Sequence, residues 1–242
     1  MGLLGVIGGS GLYGLDDQTG SAEAGLADTP WGPTSGPLVT SASGGGIAFI
    51  ARHGVDHSIA PHRVNYRANI HALREAGCDR ILAVASVGGM RPQCVPGALV
   101  VPDQLVDYTW GREMTFHEES DPVVHPDFTD PYSPRWRGDV IDRLHGLGFD
   151  FIDGGTYAAV QGPRFETAAE IRRLAGDGCD IVGMTGMPEA ILAREAGLDY
   201  AAVCPVGNLA AGISPDELEM GKVIAAVGPV MERVTALIAD LA

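Results

Sequence analysis

Residues 181–212, IVGMTGMPEAILAREAGLDYAAVCPVGNLAAG, set the tightest limit on what this chain can fold into. One apolar run (CDIVGM) stops at Thr185, a short helical stretch follows with Pro188 near its start and Gly197 at its end, and a second apolar run (YAAVCPV) stops at Gly207-Asn208. Proline suits the first turn of a helix and glycine its end. Short continuous apolar runs fit strands buried on both faces, as parallel strands are. Two such strands joined by a helix deliver Thr185 and Asn208 to one edge of a sheet. In α/β proteins, ligands bind in the crevice outside strand carboxyl ends.

The same alternation runs along the chain. Residues 3–7 form an apolar run ending in Gly8-Gly9-Ser10-Gly11. Residues 37–41 and 46–51 read as two strands about the turn ASGGG, the second ending at Arg52-His53-Gly54. Residues 63–77 make an amphipathic helix stopped by Gly77, and 80–87 (RILAVASV) a buried strand ending at Ser86-Val87-Gly88-Gly89. Further strands are expected at 97–101, 105–108 and 150–161, and a helix at 133–148. Thr167-x-x-Glu170 is a capping box opening a helix through Leu174, and Ser214-Pro215-x-Glu217 a second one before a helix over 218–241. Strand–helix alternation throughout predicts an α/β fold with a mixed, mostly parallel central sheet flanked by helices. No repeat or linker interrupts it, so residues 1–242 are expected to form a single domain. Residues 110–134 have no period and many acids, prolines and histidines, while Trp110, Phe116 and Phe128 argue against disorder; an interface is expected there.

Several function classes fall away. A net charge of −15 opposes a nucleic acid partner, whose phosphates it would repel. Cys78, Cys94, Cys179 and Cys204 are scattered without a CxxC, as buried thiols in a reducing cytosol would be. The N-terminus lacks a basic leader and no window approaches ~18 apolar residues, so a soluble cytoplasmic protein with no membrane partner is expected. Gly9-x-Gly11-x-x-Gly14 fits a dinucleotide fingerprint, but residues 15–32 show no helix to follow it. An anion cradle of backbone N–H groups and the Ser10 hydroxyl is the better reading, with a plain turn as the alternative. His53, His57 and His62 share a loop with only Asp56 for company, so no metal is expected. His71, inside a helix, reads as a packed or surface residue.

The polar groups at strand ends are Ser10, Arg52-His53, Ser86, Phe165-Glu166, Met184-Thr185 and Asn208. Hydroxyls, one arginine, one histidine and glycine turns suit a phosphate; Phe165 offers a face to a flat ring, and Asn208 an amide to a heterocycle. No G-x-S-x-G elbow, Cys-His pair or Walker A pattern is present, which favours positioning and electrostatic catalysis over a covalent route.

GVIGGSGLYG, RHGVDH…HRVNYRANI, the VGG turn, VQGPRFET, VGMTGMPEA and NLAAG together resemble the trimeric purine nucleoside phosphorylase family, in its methylthioadenosine phosphorylase branch. GMTGMPEA with N-x-AAG is most similar to the S-methyl-5'-thioinosine phosphorylases. The resemblance runs from Gly5 to about Lys222 and implies a phosphorylase/hydrolase-like fold, a homotrimer and no metal or cofactor, with inorganic phosphate as co-substrate. It assigns phosphate contacts to Ser10, Arg52, His53 and Thr185, base packing to Phe165 and the floor under the ribose to Met184. His57 and His125 match residues near the 5' group, His125 coming from a neighbouring subunit; Met220 and Val223 match the apolar 5' pocket. Ala85-Ser86 departs from the family's Thr-Ala or Asn-Ala, so a hydroxyl moves from one position to the next.

The implied reaction is phosphorolysis, with phosphate attacking C1' as negative charge builds on the departing purine. Asn208 is expected to donate to purine N7 or O6. The adenine-specific branch has Asp there and again two residues on; this chain has Asn208 and Ala210, so a 6-oxopurine is expected. S-methyl-5'-thioinosine in purine and methylthio salvage is the first choice. The alternatives are inosine or guanosine, then methylthioadenosine; a nucleoside hydrolase and a non-enzymatic binding module stand further off.

Overall fold

The computed structural model describes residues 2–9, 25–40, 46–120, 122–215 and 219–242, which form twelve strands and five α-helices. In order these are β1 (Leu3–Gly8), β2 (Leu26–Thr29), β3 (Gly32–Thr40), β4 (Ile47–Ala51), a 3-10 turn (Pro61–Arg63), α1 (Tyr66–Glu75), β5 (Cys78–Val84), β6 (Val87–Gly89) and β7 (Leu99–Val101). There follow β8 (Gln104–Asp107), α2 (Pro134–Gly146), β9 (Ile152–Asp153), β10 (Thr156–Ala159), α3 (Ala168–Gly176), β11 (Ile181–Gly183), α4 (Gly186–Glu195), β12 (Asp199–Leu209) and α5 (Met220–Leu241). The sheet order is β2-β3-β4-β1-β5-β12-β6-β11-β10-β8, with β7 on β12 and β9 on β7. Pairing is parallel from β4 through β1, β5 and β12 to β6, and again across β11, β10 and β8. It is antiparallel at the β2-β3-β4 edge, between β6 and β11, and between β7 and β12.

This sheet explains the apolar runs. β5 pairs along both edges, with β1 and β12, and Ile81, Leu82, Ala83 and Val84 are buried on both faces. On one face α1 and α4 supply Ile70, Leu73, Ala190 and Leu192; on the other α2 and α5 supply Trp136, Val140, Leu144, Val234 and Leu237. α1, α2 and α5 present these residues at intervals of three and four, as amphipathic helices do. β12 is longer than its apolar run and changes partners midway. It leaves β5 at Val203, pairs with β7 at Cys204 and Pro205, and meets β6 from Val206 with a register shift before Asn208. Pro205 cannot donate to a ladder, and prolines in sheets sit at such irregularities. At Gly207 a Cβ would come within 2.6 Å of Val223 Cγ1, so this glycine lets α5 close against β12.

Two helix starts differ from expectation. α1 begins at Tyr66 rather than 63, because Asn65 Oδ1 accepts from the Ala68 N–H and caps it there. α5 begins at Met220 after Glu219, without a side-chain cap, so Ser214 does not open it; residues 216–218 lie outside the described residues. The Thr167–Glu170 capping box is present in both directions. All four cysteines are buried free thiols. Among the described residues no helix is long and apolar enough to cross a membrane.

Candidate active site

A cleft of about 430 Å³ opens where β1, β4, β5 and β11 end, against the last residues of β12. It is lined by Gly9, Arg52, His53 and His57, by Ala85 and Ser86, by Phe165 and Glu166, by Met184 and Thr185, and by Asn208 and Val223. The two strand ends at Thr185 and Asn208 therefore do meet, although β6 lies between their strands. Ser10 and the Met220 side chain fall outside the described residues. His125 is exposed and does not line this cleft. Ala210 is not in the cleft either: it packs with Ile171, Leu174 and Val182, and its N–H donates to the Gly89 carbonyl at 2.9 Å. β12 ends at Leu209, so the two-residue alternation that would put Ala210 beside Asn208 is lost. Ala210 lines a smaller cavity of about 250 Å³ that shares Asn208 and Val223 with the cleft. His71 packs edge-on against Trp31, and no group of three or more His, Cys, Asp and Glu among the described residues could hold a metal.

At the end of β4, Arg52 is 1% exposed and clamped. Its Nε donates to Glu189 Oε2 at 2.7 Å and its Nη2 to Glu189 Oε1 at 2.8 Å, while Nη1 donates to the Val84 carbonyl at 2.9 Å. Burial works against its charge, but the Glu189 carboxylate outweighs that and holds Arg52 protonated. His53 follows, with Nδ1 2.8 Å from the Ile59 carbonyl oxygen. A carbonyl only accepts, so Nδ1 carries the proton and Nε2 a lone pair. Burial, then the neighbouring Arg52 charge, push the His53 pKa down to about 4, which leaves the ring neutral at physiological pH. The His57 ring lies 4.6 Å from that of His53 between centroids, tilted by 41°, and His57 holds a left-handed φ of 51°. Burial lowers its pKa as well.

The opposite wall carries the flat-ring and hydrogen-bonding groups. Glu166 is pushed towards its neutral form first by burial and then by Glu170. Asn208 Nδ2 donates to the Leu209 carbonyl at 2.8 Å, which orients the amide and leaves its second N–H and its Oδ1 for other partners.

Two residues that organise the cleft were not singled out from sequence. Glu189, 1% exposed, holds Arg52 and accepts from the Tyr200 hydroxyl at 2.9 Å. Its signal was available: an acid within the apolar first turns (GMPEAILA) of the helix directly after Thr185. Arg112 lies in the irregular segment and gave none. It donates to the carbonyls of Met184 and Gln161, both at 2.9 Å, and to Gln161 Oε1 at 3.2 Å. The segment is thus a buttress of the site from within the same chain.

Known proteins resemble this chain over nearly its whole length. A probable S-methyl-5'-thioinosine phosphorylase of Xanthomonas campestris pv. campestris is 50% identical over 242 residues, covering 99% of this chain and 96% of that protein. A 6-oxopurine nucleoside phosphorylase of Pyrococcus furiosus is 44% identical, covering 96% of this chain and 89% of that protein. The crystal structure of methylthioadenosine phosphorylase from Schistosoma mansoni in complex with adenine superposes with a TM-score of 0.89 at 32% identity, covering 98% of this chain and 91% of that one. The family model of the phosphorylase superfamily matches residues 3–242, and the chain belongs to that superfamily.

Proposed function

We propose that this chain is a 6-oxopurine nucleoside phosphorylase, converting S-methyl-5'-thioinosine and phosphate to hypoxanthine and 5-methylthioribose 1-phosphate. The observation that carries this is the pairing of Glu166 and Asn208 in one cleft with Arg52, His53, Ser86 and Thr185. A 6-oxopurine presents an N1–H donor and an O6 acceptor. A carboxylate accepts from N1–H and an amide N–H donates to O6 or N7; adenine reverses the first contact. Such a site disfavours the wrong base because its polar groups would be left unpaired. Phe165 packs on the base and Met184 lies beneath the ribose. The phosphate lies under the sugar, and the chemistry needs two reactants held in line and a donor for charge developing on the purine.

His57 and Val223 border the 5' end, where an apolar methylthio group fits. Inosine and guanosine remain the second reading, since the relative from Pyrococcus furiosus is named for 6-oxopurine nucleosides in general. The enzyme works as a cytoplasmic homotrimer in which His125 of a neighbouring copy reaches the 5' group, and it needs no cofactor.

The test is base release from methylthioinosine, inosine, guanosine, methylthioadenosine and adenosine, with and without phosphate. Phosphate-dependent release of hypoxanthine, fastest from methylthioinosine, is expected. Release without phosphate would make the chain a hydrolase, and a preference for adenine would remove Glu166 and Asn208 as base readers.

A further inference from the structure

We propose that phosphate is bound with one extra proton: His53 Nε2 accepts a hydrogen bond from a P–OH, so the complex holds the equivalent of the phosphate monoanion even where free phosphate is a dianion. The inference rests on the phosphorylase reading and says which ionic form of the co-substrate the site takes.

Two observations carry it. The first is the His53 tautomer. Nδ1 is 2.8 Å from a backbone carbonyl oxygen, so Nδ1 is the donor and the other ring nitrogen bears the lone pair. With His53 lining the cleft, an incoming oxyanion meets that lone pair and is repelled, whereas a P–OH is accepted. The second is the charge balance. Arg52 is the one Lys or Arg side chain lining the cleft among the described residues. It is held in a two-pronged pair with Glu189, both side chains being 1% exposed. A buried cation already matched by a carboxylate leaves little net positive charge for a dianion.

The charged and titratable groups facing His53 among the described residues are few. Arg52 precedes it on the same strand end, and Glu189 on α4 acts on it through Arg52. His57, on the following loop, sets its ring tilted against that of His53, 4.6 Å between centroids. Arg52 and His57 both oppose a proton on the free imidazole, and burial adds to them. A bound phosphate supplies the missing counter-charge, so the extra proton arrives with the ligand, shared along the P–O–H···N line.

The proton count closes over the reaction. The bound monoanion carries two protons. One leaves with the purine, which needs it when the bond to C1' breaks. The other stays between His53 and the new sugar phosphate and returns to solvent on product release. No further reactant is required.

Titration calorimetry of inorganic phosphate into the whole protein, in buffers of different ionisation enthalpy, reads the proton directly. About one pH unit above neutral, uptake of about one proton per site is expected, falling towards zero about one unit below neutral. The phosphate KM should rise about tenfold per pH unit on the alkaline side, following the shrinking monoanion fraction. His53→Asn can still donate to the Ile59 carbonyl but has no basic nitrogen, and it should abolish both the uptake and the alkaline rise. Phosphate binding by wild type without proton uptake above neutral pH overturns the proposal while leaving the phosphorylase reading intact, and needs no variant to fold. Absence of phosphate-dependent base release overturns both.

Discussion

Arg52 is where the structure most alters what a substitution should do. A strand-end arginine expected to contact phosphate invites Arg52→Ala as a probe of phosphate KM. Here the guanidinium is buried against Glu189, which the substitution would strand without its partner. Removing one member of a buried pair costs about 3–5 kcal/mol. Arg52→Ala should therefore lose that much stability in denaturant titration, and a variant within 1 kcal/mol of wild type, roughly the worth of an exposed pair, would contradict the clamp. Asn208 makes the cleaner probe of chemistry. Asn208→Asp replaces the donor with an acceptor and should shift the kcat/KM ratio of inosine to adenosine by about tenfold or more towards adenosine. Glu166 remains, so the switch should be partial. An unchanged ratio would remove Asn208 from base recognition.

At the scale of elements, the irregular segment between β8 and α2 gains definition from one side chain. Arg112 ties it to the ends of β10 and β11 through the carbonyls of Gln161 and Met184, and to α1 by donating to the Tyr66 hydroxyl at 3.2 Å. Met184 and Thr185 on one side and Phe165 on the other depend on those strand ends for their positions. Arg112→Leu would leave buried carbonyls unpaired and should cost about 2–4 kcal/mol. It should also raise the KM of nucleoside and phosphate together while the folded variant still binds both. Loss of stability with unchanged kinetics would confine Arg112 to a structural role.

At the scale of the whole molecule, His125 does not line the cleft of its own chain. The segment that carries His125 also exposes Trp110 by 71% and Val123 by 69%, apolar area that a neighbouring copy would cover. The proposed homotrimer should appear in light scattering as the mass of three chains. His125→Ala should raise the KM of methylthioinosine several-fold and leave the phosphate KM unchanged. A monomeric protein with full activity would remove the neighbouring copy from the site.

Local pattern and tertiary assembly contributed different things. Apolar runs broken by glycine or a polar residue are local, and strands buried on both faces leave little freedom in how they read; fold class, strand ends and most cleft residues follow from them. Where strands change partners the pattern is silent. The register shift in β12 and its end at Leu209 separate Ala210 from Asn208, and neither is visible in YAAVCPVGNLAA. Long-range pairings are equally hidden. Glu189 meets Arg52 across 137 residues, and Arg112 meets Met184 across 72. By itself the sequence determined that this chain builds a mostly parallel sheet whose strand ends carry Arg52, His53, Thr185 and Asn208 to one cleft, because strand ends and their residue types are local facts. Only the tertiary structure decided that Arg52 is paired with Glu189 and that His53 Nδ1 faces the Ile59 carbonyl, because both depend on partners that chain folding alone brings together.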